Sequence, residues 1–265
     1  MAAGDGRPQI LIVPEQHSHS MERQLCAIGG SRVSLFAEVL SFTRLANRVF
    51  LAAGGMGAPE LDAGGRLLLM HQAVKAVSDQ LTVYARPSRR PVFLESLLAT
   101  ADELKSSCVQ PELLLQAGRE LPGPEGEKLR DLGLICGTYQ AMTARTALDP
   151  RDRLTRLAEK LRRFPFFQGQ DVYLDGFTDF TPQQGLVLAE LLRQAHSVTL
   201  ALTYGEGAGE EAVFAPARKT LAWIKGLAAK VGCPVEEEAL PAGEWERTPP
   251  LRHLEQALFA HPMPS

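Results

Sequence analysis

The sequence predicts an α/β protein in which a parallel sheet, with strands from both ends of the chain, is interrupted by an all-helical subdomain. Short continuous apolar runs at 9–13 and 172–174, each followed by a polar turn, are typical of strands buried on both faces. Between about 57 and 165, apolar residues recur at helical spacing without a strand pattern. We therefore predict a discontinuous α/β domain over 1–56 and 166–265, with an inserted helical subdomain over 57–165.

The first part of the chain alternates strand and helix signals. A strand at 9–13 is followed by a polar loop and a helix from Ser20 to Ile28, which Gly29 and Gly30 end. Residues 33–40 are rich in β-branched and aromatic side chains and predict a second strand. Ser41 is a typical N-cap for a helix over 42–53.

The α/β pattern resumes after the helical stretch. A strand at 172–174 is followed by Thr181-Pro182-Gln183-Gln184, which has the threonine, proline and glutamine of a capped helix start. A strand over 198–203 and a helix over 216–230 complete the pattern.

Composition excludes several protein classes. The chain has 265 residues, 45% of them hydrophobic, and a formal net charge of −3, so a nucleic-acid site would have to be a local basic patch. The four cysteines form no C-x-x-C pair, which argues against a zinc or iron–sulfur site. Because no apolar run spans a bilayer and the first residues lack a signal-peptide core, we expect a cytoplasmic protein.

Catalytic signals are incomplete. Asp175 follows a predicted buried strand, where P-loop hydrolases hold magnesium, but no G-x-x-x-x-G-K-[ST] loop is present to bind the phosphates. Asp175 therefore indicates architecture, as a degenerate magnesium-site position, and an independent ATPase lacks its phosphate loop. His17 and His19 lack a third metal ligand in the pattern, and no G-x-S-x-G elbow occurs.

Binding signals cluster after two predicted strands. Ser41-Phe42-Thr43-Arg44 opens a helix, whose N-terminal amides can receive a phosphate. Arg44 and Arg48 lie four residues apart on one helix face and can pair with phosphate oxygens. Phe42 and Phe177 follow strands at the edge where α/β sheets bind ligands. Two interpretations stay open: the phenylalanines stack on bases, or they pack in the core.

An ordered set of motifs resembles the N-terminal helicase-like region of AddB, one of the two proteins of the bacterial AddAB helicase–nuclease. The set covers most of the chain and consists of Val13-Pro14-Glu15-Gln16, Leu40–Ala46, Glu103-Leu104-Lys105 with Cys108, Tyr173–Phe177 and Phe180–Gln183.

The resemblance implies a P-loop-NTPase-like, superfamily-1 helicase-like sheet that lacks the first strand and the phosphate-binding loop. It implies a catalytically inactive helicase relic that grips single-stranded DNA at a processed duplex end and scans it for a regulatory Chi-like sequence during double-strand-break repair. The family's scanning residues fall on Gln16, Ser18, Phe42, Arg44 and Phe177.

The same resemblance implies an AddA-like helicase–nuclease partner in a heterodimer and no membrane. ATP, Mg²⁺ and a 4Fe–4S cluster would belong to parts of the complex outside this chain, so we expect no cofactor and no activity from this chain alone. An alternative from a different class also stays open. In it, the chain is a protein-interaction scaffold that binds the partner subunit without contacting DNA.

Overall fold

The computed structural model describes residues 6–30, 32–57, 59–86, 90–204, 213–239 and 250–251. They fall into two compact units. The first takes its described residues from 1–42, 165–180 and 188–265, and the second from 43–164 and 181–187. The predicted domain bounds, 1–56 with 166–265 and 57–165, stay a prediction, because compactness alone does not show which segment folds as a domain.

The first unit contains a parallel sheet, as the sequence predicted. Its described strands are β1 (Gln9–Ile12), β2 (Ala37–Leu40), β3 (Asp171–Leu174) and β4 (Ser197–Leu200), in the order β2-β1-β3-β4. The pairings of β1 with β2, of β1 with β3 and of β3 with β4 are all parallel. The two central strands therefore come from opposite ends of the chain, as the apolar runs indicated.

The strands are less enclosed than predicted. Val172 and Leu174 are buried, whereas Tyr173 between them exposes 36% of its surface. Helix α1 (Ser18–Gly29) contains no buried residue. The expectation of complete burial on both sheet faces is therefore wrong for β3, because alternate side chains of a strand point to opposite faces and only one face is covered here.

Strand β2 is shorter than the run that predicted it. Because β1 begins at Gln9, which lies opposite Ala37, residues before Ala37 have no strand to pair with. They form a 3-10 turn over Val33–Leu35 instead. For the same kind of reason Glu15–His17 forms a 3-10 turn that leads directly into α1, where the sequence predicted an open loop. At the far edge of the sheet, β4 ends at Leu200.

The described residues of the second unit are mainly helical. Its elements are α2 (Phe42–Ala53) from Thr43 onward, α3 (Ala63–Ala76), α4 (Pro91–Ser106), α5 (Pro111–Glu120), α6 (Pro124–Thr146), α7 (Arg153–Leu161) and the first turns of α8 (Pro182–Gln194). Its apolar core is built from α3, α4 and α6 around residues such as Met70, Leu97, Ile135 and Tyr139. No helix within the described residues is long and apolar enough to cross a membrane.

The start of α8 confirms its predicted cap. The backbone amide of Gln184 donates to Oγ1 of Thr181 at 3.2 Å, and the backbone amide of Thr181 donates to Oε1 of Gln184 at 2.8 Å. Each side chain thus satisfies a backbone donor of the other residue, which is the capping box expected from Thr181-Pro182-Gln183-Gln184.

Candidate functional site

Three turns of the first unit meet at the carboxyl edge of the sheet. The register places Ile12 opposite both Leu40 and Leu174, so β1, β2 and β3 end side by side. The ladder continues one residue further, because the amide of Val13 donates to Leu40 at 2.9 Å and that of Asp175 donates to Ile12 at 3.1 Å. We call the turns after these strands, at 14–18, 41–42 and 175–180, the sheet-edge site.

A close approach joins two of these turns. Gly176 has a φ of +77°, and a β-carbon there would lie 3.4 Å from Cδ of Pro14 and 4.0 Å from Cδ2 of His17. Glycine adopts this left-handed conformation without steric cost. The Asp175-Gly176-Phe177 motif and the Pro14-Glu15-Gln16 motif, which the sequence placed far apart, are thus in contact.

Four aromatic rings form a continuous row at the site. Phe42 meets Phe177 edge-on with ring centroids 5.8 Å apart, and Phe177 lies 4.8 Å from Phe180. Phe180 in turn stacks on Trp223 of helix α9 (Ala215–Val231), with centroids 6.1 Å apart and an interplanar angle of 24°. Oγ1 of Thr220 donates to the carbonyl oxygen of Thr178 at 2.8 Å and fastens α9 to this turn. We call Phe42, Phe177, Phe180 and Trp223 the aromatic row.

Burial falls along the row. Phe42 exposes only 7% of its surface, Phe177 and Phe180 are half-buried, and Trp223 exposes 38%. Stacking on a base requires an open ring face. Phe42 therefore anchors the row in the core, and the rings with surface to offer are Phe177, Phe180 and Trp223. The two sequence interpretations both apply, because one phenylalanine packs in the core and the other is partly exposed.

The sequence reasoning did not single out Phe180 or Trp223. Phe180 stands inside a motif that the sequence analysis used, but its spacing from Phe177 matches no regular element. Trp223 lies far along the chain on an amphipathic helix, where an aromatic residue normally indicates core. A tertiary contact with the turn after β3 distinguishes it.

Polar groups flank the row in the first unit. Gln16 is exposed, and Ser18 is half-buried with its hydroxyl donating to the carbonyl oxygen of Glu15 at 3.0 Å, so towards a ligand Ser18 can act as an acceptor. After β4, the guanidinium of Arg218 lies 5.4 Å from the centre of the Tyr204 ring. The site thus combines aromatic faces, an amide side chain and a cation.

The other predicted binding residues belong to the second unit. Thr43, Arg44 and Arg48 are exposed in α2, and the two arginines share one face of that helix at four-residue spacing. Their predicted role in nucleic-acid binding stays a prediction.

Asp175 lies half-buried at the end of β3. Its assignment as a degenerate magnesium position also stays a prediction. Among the described residues, no group of three or more His, Cys, Asp or Glu side chains is arranged to hold a metal ion.

Comparison with known proteins gives one consistent match. The family model described as "ADDB, N-terminal" matches residues 1–255. Three relatives are each named as the B-type subunit of an ATP-dependent helicase/deoxyribonuclease. The protein of Acetivibrio thermocellus is 31% identical over 264 residues, covering 96% of this chain and 23% of the relative. That of Desulforudis audaxviator is 35% identical over 271 residues, covering 98% and 23%. That of Thermoanaerobacter sp. (strain X514) is 37% identical over 202 residues, covering 76% and 18%. The chain thus spans less than a quarter of the length of these relatives.

Proposed function

This chain belongs to the AddB N-terminal family, and from that premise we propose that it is the DNA-binding, catalytically inactive helicase-like region of a helicase–nuclease subunit. In this role it grips the single strand at a processed duplex end and scans it for a regulatory Chi-like sequence during recombinational repair of double-strand breaks. Its partner is an AddA-like helicase–nuclease subunit.

The observation that carries the proposal is the aromatic row at the sheet-edge site. Ring faces bind single strands because every base offers a face on which to stack, and each base–ring contact contributes about 1–3 kcal/mol. A row that is anchored in the core at Phe42 and open at Trp223 holds its outer rings in place before a strand arrives. The ordering cost of binding is therefore already met in part by folding.

The flanking groups add what a stacking surface lacks. Gln16 carries both donors and an acceptor that can hydrogen-bond to base edges, and Ser18 can accept from a base. Arg218 brings a positive charge to the same edge of the sheet. Direct hydrogen bonds to base edges are the means by which a protein distinguishes one sequence from another, so Gln16 and Ser18 are the proposed sequence readers.

The proposal is tested by fluorescence anisotropy of a labelled single-stranded oligonucleotide. We expect Trp223→Ala to weaken binding by about 1–3 kcal/mol, which is roughly 5- to 150-fold, because one exposed stacking surface is lost. Phe36→Ala is the matched control, because Phe36 is also exposed and leads into β2 at the opposite end of the strand. Equal affinity of both variants and the parent chain would exclude the aromatic row as the DNA site.

A specific observation also favours the scaffold alternative. Ile28 of α1 and Leu35 and Phe36 of the turn before β2 expose 83%, 76% and 55% of their surfaces. Exposed apolar side chains of this size are typical of surfaces that contact another protein. In this second candidate function they bind the AddA-like partner. Phe36→Ser with Leu35→Ser would then abolish co-purification with that partner and leave oligonucleotide binding intact, whereas unchanged co-purification would reject this surface.

A further inference from the structure

A pocket of about 500 Å³ lies within the second unit, and its polar lining includes Thr43, Arg66, Arg151, Arg153 and Gln183. We propose that this pocket binds the phosphate group of a nucleotide. The proposal stands on the second unit alone and does not require the aromatic row to bind DNA.

The charge of the lining is of one sign. Three of its residues are arginines, and none is an aspartate or glutamate. Arginine presents a planar fork of donors that matches two phosphate oxygens at once, which makes it a common phosphate ligand in proteins.

Carboxylates behind the lining hold these arginines in place. Nη2 and Nη1 of Arg66 both bind the carboxylate of Asp102, and Nε of Arg151 lies 2.9 Å from the same carboxylate. Arg153 binds Glu60, with Nη2 2.6 Å from Oε2. Fixed guanidiniums lose little rotamer freedom when a ligand arrives, so the site is organised before binding.

Four helices begin at the pocket. Thr43 is the second residue of α2, Ala63 the first of α3, Arg153 the first of α7 and Gln183 the second of α8. A helix N-terminus carries a partial positive charge that favours an anion. Several such ends directed at one pocket add to the field of the arginines, and this convergence is unexpected for a surface crevice without a ligand.

The remaining lining fits the rest of a nucleotide. Gln183 is buried, and its Nε2 donates to the carbonyl oxygen of Arg151 at 2.8 Å and to Oγ1 of Thr155 at 2.9 Å, which fixes the backbone that carries Arg151. Leu61 and Leu154 give the wall apolar patches. A volume of 500 Å³ lies within the range of small-molecule sites and exceeds what a bare phosphate needs. The ligand is therefore a phosphate carried on a sugar, either in a free nucleotide or in a DNA strand.

The test uses the chain with three probes: thymidine 5′-monophosphate, thymidine and a labelled oligo-dT. The test variant is Arg151→Gln with Arg153→Gln, which keeps side-chain length and removes two charges. Arg145→Gln is the matched control, because Arg145 is exposed in the same unit at the end of α6 and does not line the pocket. The side chain of Arg151 is 59% exposed, so Arg151→Gln alone provides a second variant that tests the site if the double variant fails to fold.

Titration calorimetry and anisotropy separate the two sources of phosphate. If the ligand is a free nucleotide, the monophosphate binds, thymidine does not, and the test variant loses about tenfold or more in affinity for the monophosphate. If the ligand is a strand, only oligo-dT binds, and the test variant lowers its affinity and reduces the salt dependence by roughly one unit per lost phosphate contact. Binding that is equal in the test and control variants, or no binding of any probe, overturns the proposal. Loss at these arginines with full binding by Trp223→Ala would contradict the aromatic-row proposal alone.

Discussion

Nζ of Lys105 donates a hydrogen bond of 2.8 Å to Oδ2 of Asp149, whose side chain is completely buried. The same oxygen accepts from the hydroxyl of Tyr139 at 3.0 Å, and Nε of Arg66 lies 3.2 Å from the other oxygen. Asp149 thus links α3, α4 and α6, which contribute Arg66, Lys105 and Tyr139. It is the central anion of the second unit.

Replacing this carboxylate should strongly destabilise the protein. Asp149→Asn leaves Lys105 and Arg66 without the charge that compensates their burial, and breaking a buried pair in this way costs about 3–5 kcal/mol. The measurement is the free energy of unfolding from urea denaturation at pH 7. Asp79→Asn is the control at an exposed aspartate and should change stability by less than about 0.5 kcal/mol. A loss as small as that of the control would show that Asp149 does not carry the network.

Acid should remove the same contribution. Burial alone would raise the pKa of Asp149, but hydrogen bonds from Lys105 and the Arg151 amide, with the charges of Lys105 and Arg66, hold the pKa below its ordinary value. A carboxyl with a lowered folded-state pKa stabilises fully above its unfolded pKa of about 3.9, and this stabilisation disappears as the pH falls through the folded value. Unfolding measured between pH 7 and pH 2 should therefore show the Asn variant converging on the parent chain below about pH 4. A constant difference over that range would contradict this origin.

Two helical glycines should respond oppositely to alanine. A β-carbon at Gly126 of α6 would overlap the carbonyl oxygen of Leu121 and lie 2.9 Å from that of Gly118, so α5 and α6 would have to separate. We expect Gly126→Ala to cost about 1–3 kcal/mol. At Gly226 of α9 nothing lies within 4 Å, and Gly226→Ala should stabilise by up to about 1 kcal/mol through helix propensity. Thermal unfolding of both variants measures the difference, and a stabilised Gly126→Ala would refute the close contact.

The capping box of α8 should contribute measurably to stability. Thr181→Ala removes the acceptor for the Gln184 amide, a change that costs about 0.5–2 kcal/mol at N-caps. Thr100→Ala is the matched substitution, because Oγ1 of Thr100 only bonds back to the carbonyl oxygen of Ser96 within α4. Since alanine is the better helix former, the control should be neutral or stabilising. Urea denaturation that shows equal effects at the two positions would count against the cap.

Gly176 and Gly169 should separate backbone strain from site geometry. Both have a positive φ, +77° and +74°, so alanine at either position costs about 1–2 kcal/mol of strain. A β-carbon meets nothing within 4 Å at Gly169 but contacts Pro14 at Gly176. We therefore expect similar losses of stability in the two variants and weaker oligonucleotide binding only in Gly176→Ala. Equal anisotropy curves would show that the contact with Pro14 does not shape the site.

Local signals predicted the elements better than they predicted their surroundings. The cap at Thr181 and the strands at the two ends of the chain follow from a few neighbouring residues, and the structure confirms them. The burial of Phe42 and the exposure of Trp223 depend on which elements pack against them, and the sequence pattern around either residue is silent on that packing. The pocket was inaccessible for the same reason, because Arg66, Arg153 and Gln183 come from three helices far apart in the chain.

The pairing of β1 with β3 also has a consequence for how the chain reaches its fold. Gln9 bonds alongside Asp171, so the central ladder closes only after the whole helical stretch has been synthesised. Contacts this distant in sequence form slowly, whereas helical contacts form locally and early. During synthesis the β1–β2 pair therefore waits with an open edge, and a chaperone that shields that edge should raise the yield of native protein.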